Sequence, residues 1–204
     1  MPAEAVRLTG SVAPAAVAAL REVSEHFGIE REVLLYQVPD ARSNALCNRQ
    51  GESVVVLLIG RILARNDAAA FRAVIGHELG HHLVNEARFV ASPLEIELTA
   101  DRFGVIASGD PAASVSLELT ESTGLLPGAL GMTIEAFLEE ARDRVEVLRA
   151  RHQTLPPSRH PEPLVRAWAA WAFGRTDLFR ELTGRGPADL SIAAVDEQLS
   201  ALCP

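Results

Sequence analysis

His77-Glu78-Leu79-Gly80-His81 places two imidazoles four positions apart with a carboxylate between them. Four residues advance an α-helix by about 400°, so on a helix the two rings project almost the same way, one turn apart. At that separation both can reach one zinc ion at about 2.0–2.1 Å. Glu78 lies about 100° round from His77, beside the metal position and not on it. There it is suited to take a proton from water that a metal has made more acidic. The same five-residue pattern also arises by chance on ordinary surface helices, so a catalytic reading requires a third ligand that leaves one position open.

Helix geometry sorts the candidates for that ligand. Glu86 falls about 180° from His77 on the same helix and cannot share its metal. On the next segment, Leu94, Leu98 and Val105 lie within about 60–100° of Glu97 and mark an inward face. Asp101, one turn after Glu97, shares that face, whereas Glu95 points outward. Buried carboxylates are costly unless they are paired or bind a metal. The sequence therefore predicts zinc held by His77, His81 and Glu97, with Glu78 as the base. Asp101 has two readings: acceptor for the second ring nitrogen of a ligand histidine, or partner of a core arginine such as Arg72 or Arg166. Gly76 and Gly80 on one helix, and Ala100 and Gly104 on the other, are small enough to let the two approach closely. His82, about 140° from His77, is assigned to the outer face. His26 and His152 have no ligand-like neighbours and receive no role.

Elements that would carry these residues follow from periodicity and punctuation. Ser11 to Phe27 reads as a helix with Val17, Leu20, Val23 and Phe27 as its stripe and Gly28 as its stop. Residues 33–38 read as a strand, 44–48 as a second, 49–52 as a turn and 53–59 as a third strand, the last apolar enough to be covered on both faces. Asn66-Asp67 caps a long helix to Asn85, and Ser92-Pro93 opens the next. A further helix runs from Thr133 to about Arg151. A proline-rich loop, 155–163, precedes a helix containing Trp168 and Trp171, and Pro187 opens a last helix to about Leu202. A small early sheet followed by helices is an α+β arrangement, and the length of 204 residues suits one domain, residues 1–204.

Composition narrows the function classes. Nineteen basic against twenty-seven acidic side chains give a net charge of −8, which disfavours nucleic acid as a partner. Every basic residue is arginine, which we read as compositional bias and not as a binding device. Cys47 and Cys203 are the only cysteines, too few for a disulfide framework, and they fit unpaired thiols in a reducing compartment. The most apolar run, 53–60, is far shorter than the ~20 residues of a spanning helix. The uncharged stretch from Leu8 to Leu20 contains Pro14 and follows Glu4 as well as Arg7, so it is read as part of a helix and not as a secretory signal. The expected location is cytoplasmic.

The two motifs together, His77-Glu78-Leu79-Gly80-His81 and Glu97-Leu98-Thr99-Ala100-Asp101, resemble the M48 family of metallopeptidases, whose second element reads E-x-x-A-D. The resemblance extends to Ser43-Asn44-Ala45-Leu46, similar to the family's edge strand, and to Arg159-His160-Pro161 and Arg166, similar to its H-P…R element. It covers roughly residues 40–170, with 171–204 as a helical extension. It implies the gluzincin form of the zincin fold, a small sheet over a zinc-carrying helix with the glutamate on a second helix. It also implies that Asn44 and Ala45 bind an extended substrate by adding it to the sheet edge, that His160 stabilises the oxyanion and that Arg166 supports the site. Read without the resemblance, His160 is equally a solvated histidine in a loop. The transmembrane helices and repeat domains of many members are not visible here, so the membrane-protein substrates of those relatives are not carried over.

Three functions are then open. The first is a zinc endopeptidase acting on a peptide or protein substrate, the second a zinc hydrolase of a small amide or ester, and the third a non-catalytic peptide-binding module. Glu78 weighs against the last, because a structural site gains nothing from a base beside an open metal position.

Overall fold

Alternating apolar residues build a four-stranded sheet in the first third of the chain. In the computed structural model, which describes residues 2, 4–41, 43–62, 67–156 and 162–203, the strands are β1 (Val6–Leu8), β2 (Val33–Val38), β3 (Asn44–Gln50) and β4 (Ser53–Ile59). Their order is β1-β2-β4-β3, with β2 parallel to β4 and β1 and β3 antiparallel to their neighbours. Val54, Val56 and Leu58 of β4 point into the core with Leu35 of β2. The opposite face carries Leu34, Tyr36, Val55 and Leu57, of which only Val55 is buried. Coverage of β4 on its second face is therefore partial: Val55 is buried and Leu57 half-buried.

Helix α1 (Pro14–His26) and helix α2 (Ala68–Glu86) close the core side of the sheet, with Leu20 and Val23 from the first and Ile75 and Leu79 from the second. Asp67 caps α2 by accepting from the backbone N–H of Ala70 at 2.8 Å; Asn66 lies outside the described residues. Ser92 and Glu95 form a reciprocal capping box at the start of α3 (Pro93–Ser108), which explains why Glu95 turns away from the interior. The α2–α3 contact is the one that positions the site. A Cβ on Gly76 would overlap Ala107 and stand 2.7 Å from the Phe103 carbonyl oxygen, and one on Gly104 would stand 2.8 Å from the Ala73 carbonyl oxygen. The helices touch backbone to backbone there, which only glycine permits.

Helices α4 (Pro111–Thr123), α5 (Ile134–Ala150), α6 (Pro163–Phe173), α7 (Asp177–Thr183) and α8 (Ile192–Ser200) complete the chain. A second core joins Leu94 and Leu98 of α3 to Val145 of α5, Val165 and Ala169 of α6 and Leu199 of α8. Several expectations are corrected. Val6–Leu8 is a strand and the first helix begins only at Pro14. The final helix starts at Ile192, capped by Ser191, and not at Pro187. Helices α4 and α7 had not been anticipated; α4 follows α3 after only Gly109, in the left-handed conformation, and Asp110, which caps it. No helix among the described residues is long and apolar enough to cross a membrane.

Candidate metal centre

On α2 the rings of His77 and His81 face one another one turn apart, with their Nε2 atoms 3.0 Å from each other. Glu97, presented by α3, brings Oε2 to 3.6 Å from Nε2 of His77 and Oε1 to 3.6 Å from Nε2 of His81. A cation bound tetrahedrally at about 2.0–2.1 Å would separate its ligand atoms by roughly 3.3 Å. Separations of 3.0 and 3.6 Å bracket that value, so these three residues can hold a metal ion. Glu86 is turned away, as helix geometry requires, and pairs with Arg31 and His82. His82 itself corrects its assignment to the outer face: it is only 7% exposed. Because α2 is packed on most of its circumference, pointing away from His77 does not mean pointing into water.

Both readings of Asp101 are met at once. Its Oδ1 lies 2.9 Å from Nδ1 of His77, while Arg166 donates from Nε to Oδ2 at 2.9 Å and from Nη2 to Oδ1 at 2.6 Å. A carboxylate with two oxygens serves a histidine and a bidentate guanidinium together. Arg72, the other candidate partner, instead pairs with Glu22 at 2.9 Å. Arg166 comes from α6, and its Nη2 is also 3.1 Å from Glu118 on α4 and 3.8 Å from Glu97. Glu118 is the residue the sequence reading missed. A signal existed: once α4 is read from Asp110-Pro111, Glu118 falls one turn from Ser114 and Val115, both buried, so a carboxylate is driven inward.

Charges at the site shift accordingly. Burial raises the pKa of Glu78, and the charge of Glu97 adds to this against His77 and Arg166. Burial also pushes Glu118 up to about 7, against the pull of Arg166. Asp101, though buried, is held well below the usual carboxylate range by Arg166 and by the His77 hydrogen bond. Burial would lower His77, but the hydrogen bond and charge of Asp101 outweigh it and its pKa ends above the ordinary value. His81, without such a partner, is lowered to about 4 by burial and by His77. With Nδ1 of His77 turned to Asp101, Nε2 is the nitrogen that would serve a metal beside His81 and Glu97.

His77, Glu78, His81, Glu97, Glu118 and Arg166 line a cleft of about 1200 Å³. Its walls include Asn44, Ala45 and Cys47 of β3, Glu78 and Asn85 of α2, and Ile96 and Leu117. Strand β3 is at the sheet edge, and among the described residues no strand pairs with its far side. The Asn44 side chain accepts from the N–H of Ala45 at 2.9 Å, and Ala45 is buried against the core. The Cys47 thiol is pushed up to about 12 by burial, with Glu78 adding to the effect, so it is not a thiolate at neutral pH. Arg159, His160 and Pro161 lie outside the described residues. Comparison of the chain with protein-family models, with curated proteins and with solved structures finds no match.

Proposed function

We propose that the chain is a zinc-dependent endopeptidase of the M48 type on a gluzincin form of the zincin fold. The observation that carries this reading is the convergence of two imidazoles and a carboxylate on one point beside Glu78. Two nitrogens with one oxygen are a donor set that suits zinc.

When bound, zinc would polarise a substrate carbonyl and make water more acidic. Glu78 is the proton carrier. Its carboxylate, with its pKa raised above the ordinary value by burial, accepts a proton from the attacking water and returns it to the departing amine, so that one peptide bond and one water give a carboxylate and an amine. The edge of β3 offers Asn44 and Ala45 to an extended main chain. A cleft of about 1200 Å³ exceeds the ~300–1,000 Å³ usual for small-molecule sites, which favours a peptide over a small amide or ester. Arg166 and Asp101 orient His77. The unpaired thiols Cys47 and Cys203 favour a reducing compartment such as the cytoplasm.

Turnover of unfolded casein tests the proposal. The zinc-loaded chain should cleave it, a chelator should stop cleavage, and Glu78→Gln should keep its zinc while losing ~10²-fold or more of the rate. Zinc-loaded protein that leaves unfolded substrates intact, or cleavage indifferent to chelation, would overturn it.

A further inference from the structure

Glu118 is a buried carboxylate that the proposed chemistry does not use. It comes from α4, a different helix from either ligand-bearing one, and its ion pair with the centre is to Arg166 at 3.1 Å. Its relationship to Glu97 gives it meaning. One nitrogen, Arg166 Nη2, faces three acceptors: Asp101 at 2.6 Å, Glu118 at 3.1 Å and Glu97 at 3.8 Å. Two of these fix the guanidinium against Asp101. The third is the candidate metal ligand. A guanidinium drawn toward Glu97 would compete with a cation for the same oxygens and would loosen its fork on Asp101.

We infer that Glu118 is a positioning residue for the metal centre: it holds Nη2 of Arg166 at 3.1 Å, closer than the 3.8 Å to Glu97, so that the arginine clamps Asp101 and not the ligand carboxylate. This inference rests on His77, His81 and Glu97 holding the metal. The relay has three contacts in series, Glu118 to Arg166, Arg166 to Asp101 and Asp101 to His77. It draws on four helices, α4, α6, α3 and α2, and each of the three relay residues is almost fully buried, with side-chain exposures of 9%, 14% and 9%. Partners behind a ligand commonly change metal affinity by about 10–100-fold when removed. What Arg166 needs from this position is an acceptor oxygen at the right reach. A carboxamide supplies one; a methyl group does not, and an aspartate is one methylene too short.

Zinc affinity by chelator competition on the whole chain tests this, with folding checked by circular dichroism. Glu118→Ala and Glu118→Asp should bind zinc ~10–100-fold more weakly, and Glu118→Gln should remain within a few-fold of wild type. In an Arg166→Leu background, Glu118→Ala should cause no further loss, because its effect passes through the arginine. If Glu118→Ala does not fold, the Asp and Gln variants decide alone. Zinc affinity equal to wild type in Glu118→Asp, or a full additional loss in the double variant, overturns the inference while leaving the metal centre in place. Failure of the wild-type chain to take up zinc overturns the metal centre itself, and the two results are distinct.

Discussion

Nδ1 of His77 lies 2.9 Å from Oδ1 of Asp101, and this single contact decides which nitrogen of the ring faces His81 and Glu97. Asp101→Ala releases that ring and takes from Arg166 its bidentate partner, leaving the guanidinium to Glu118 and, farther off, Glu97. Zinc should bind ~10–100-fold more weakly by chelator competition. Urea unfolding of the metal-free variant should show a loss smaller than the ~3–5 kcal/mol of a buried charge left with no partner. Unchanged zinc affinity with reduced stability would leave Asp101 as an ion-pair residue only.

Metal should stabilise the fold through the ligands. Zinc held at a hundred times its dissociation constant adds about 2.7 kcal/mol, or roughly 5–10 °C in melting temperature for a chain of this size. His77→Ala, His81→Ala and Glu97→Ala should each abolish the shift in differential scanning fluorimetry. A full shift in Glu97→Ala would mean that the third ligand lies elsewhere.

The α2–α3 contact can be pushed apart by one methyl group. Inside a helix, alanine is worth up to about 1 kcal/mol more than glycine, so Gly76→Ala would stabilise an isolated α2. Here the new Cβ meets Ala107 and the Phe103 backbone, and overpacking of this kind costs about 1–3 kcal/mol. The packing effect should win. Thermal melts should show net destabilisation, and zinc affinity should fall because Glu97 moves with α3. A more stable Gly76→Ala with normal zinc binding would contradict the close approach.

Acid and base should act on the metal-free chain through Glu118. Its pKa rises from 4.5 to about 7 in the fold, so the folded state holds its proton more tightly than the unfolded state does. The stability this contributes is complete below pH 4.5 and is lost as pH climbs through about 7. Glu78, also raised, works in the same direction. Asp101, depressed, contributes stability that disappears only in strong acid, outside this window. His81, lowered to about 4 by burial, makes stability rise with pH over the same window, so the Glu118 contribution is read as a difference. With chelator present, the melting temperature of wild type relative to that of Glu118→Gln should decline as pH climbs from 4.5 to about 7. An identical slope in the two proteins would remove Glu118 as its source.

The parts of the centre carried by local patterns were legible in the sequence. His77, His81, Glu97 and Asp101 sit on two helices whose caps, Asp67 and Ser92-Pro93, and whose apolar faces are continuous signals, so the angular arithmetic located the cluster. Strand β1 was not legible, since three residues become a strand only by pairing with β2. Glu118 was missed because only Gly109 and Asp110 separate α4 from α3, so the Asp110-Pro111 start was not read as a new helix. His82 misled because angle relative to one face says nothing about what covers the other faces. The choice posed for Asp101, histidine or arginine, treated its two oxygens as one.

The three candidate ligands belong to consecutive helices, α2 and α3, whereas the clamp on Asp101 arrives from α6, much later in the chain. Contacts close in sequence close their loops quickly, and distant ones wait for a larger loss of chain entropy. The helical pair can therefore gather a cation before Arg166 is in place, and the cation would at that stage still exchange with its surroundings. Its retention would become slow only when α6 docks. During refolding in zinc, the onset of resistance to a competing chelator should thus serve as a clock for the assembly of the C-terminal helices, long after the first metal is captured.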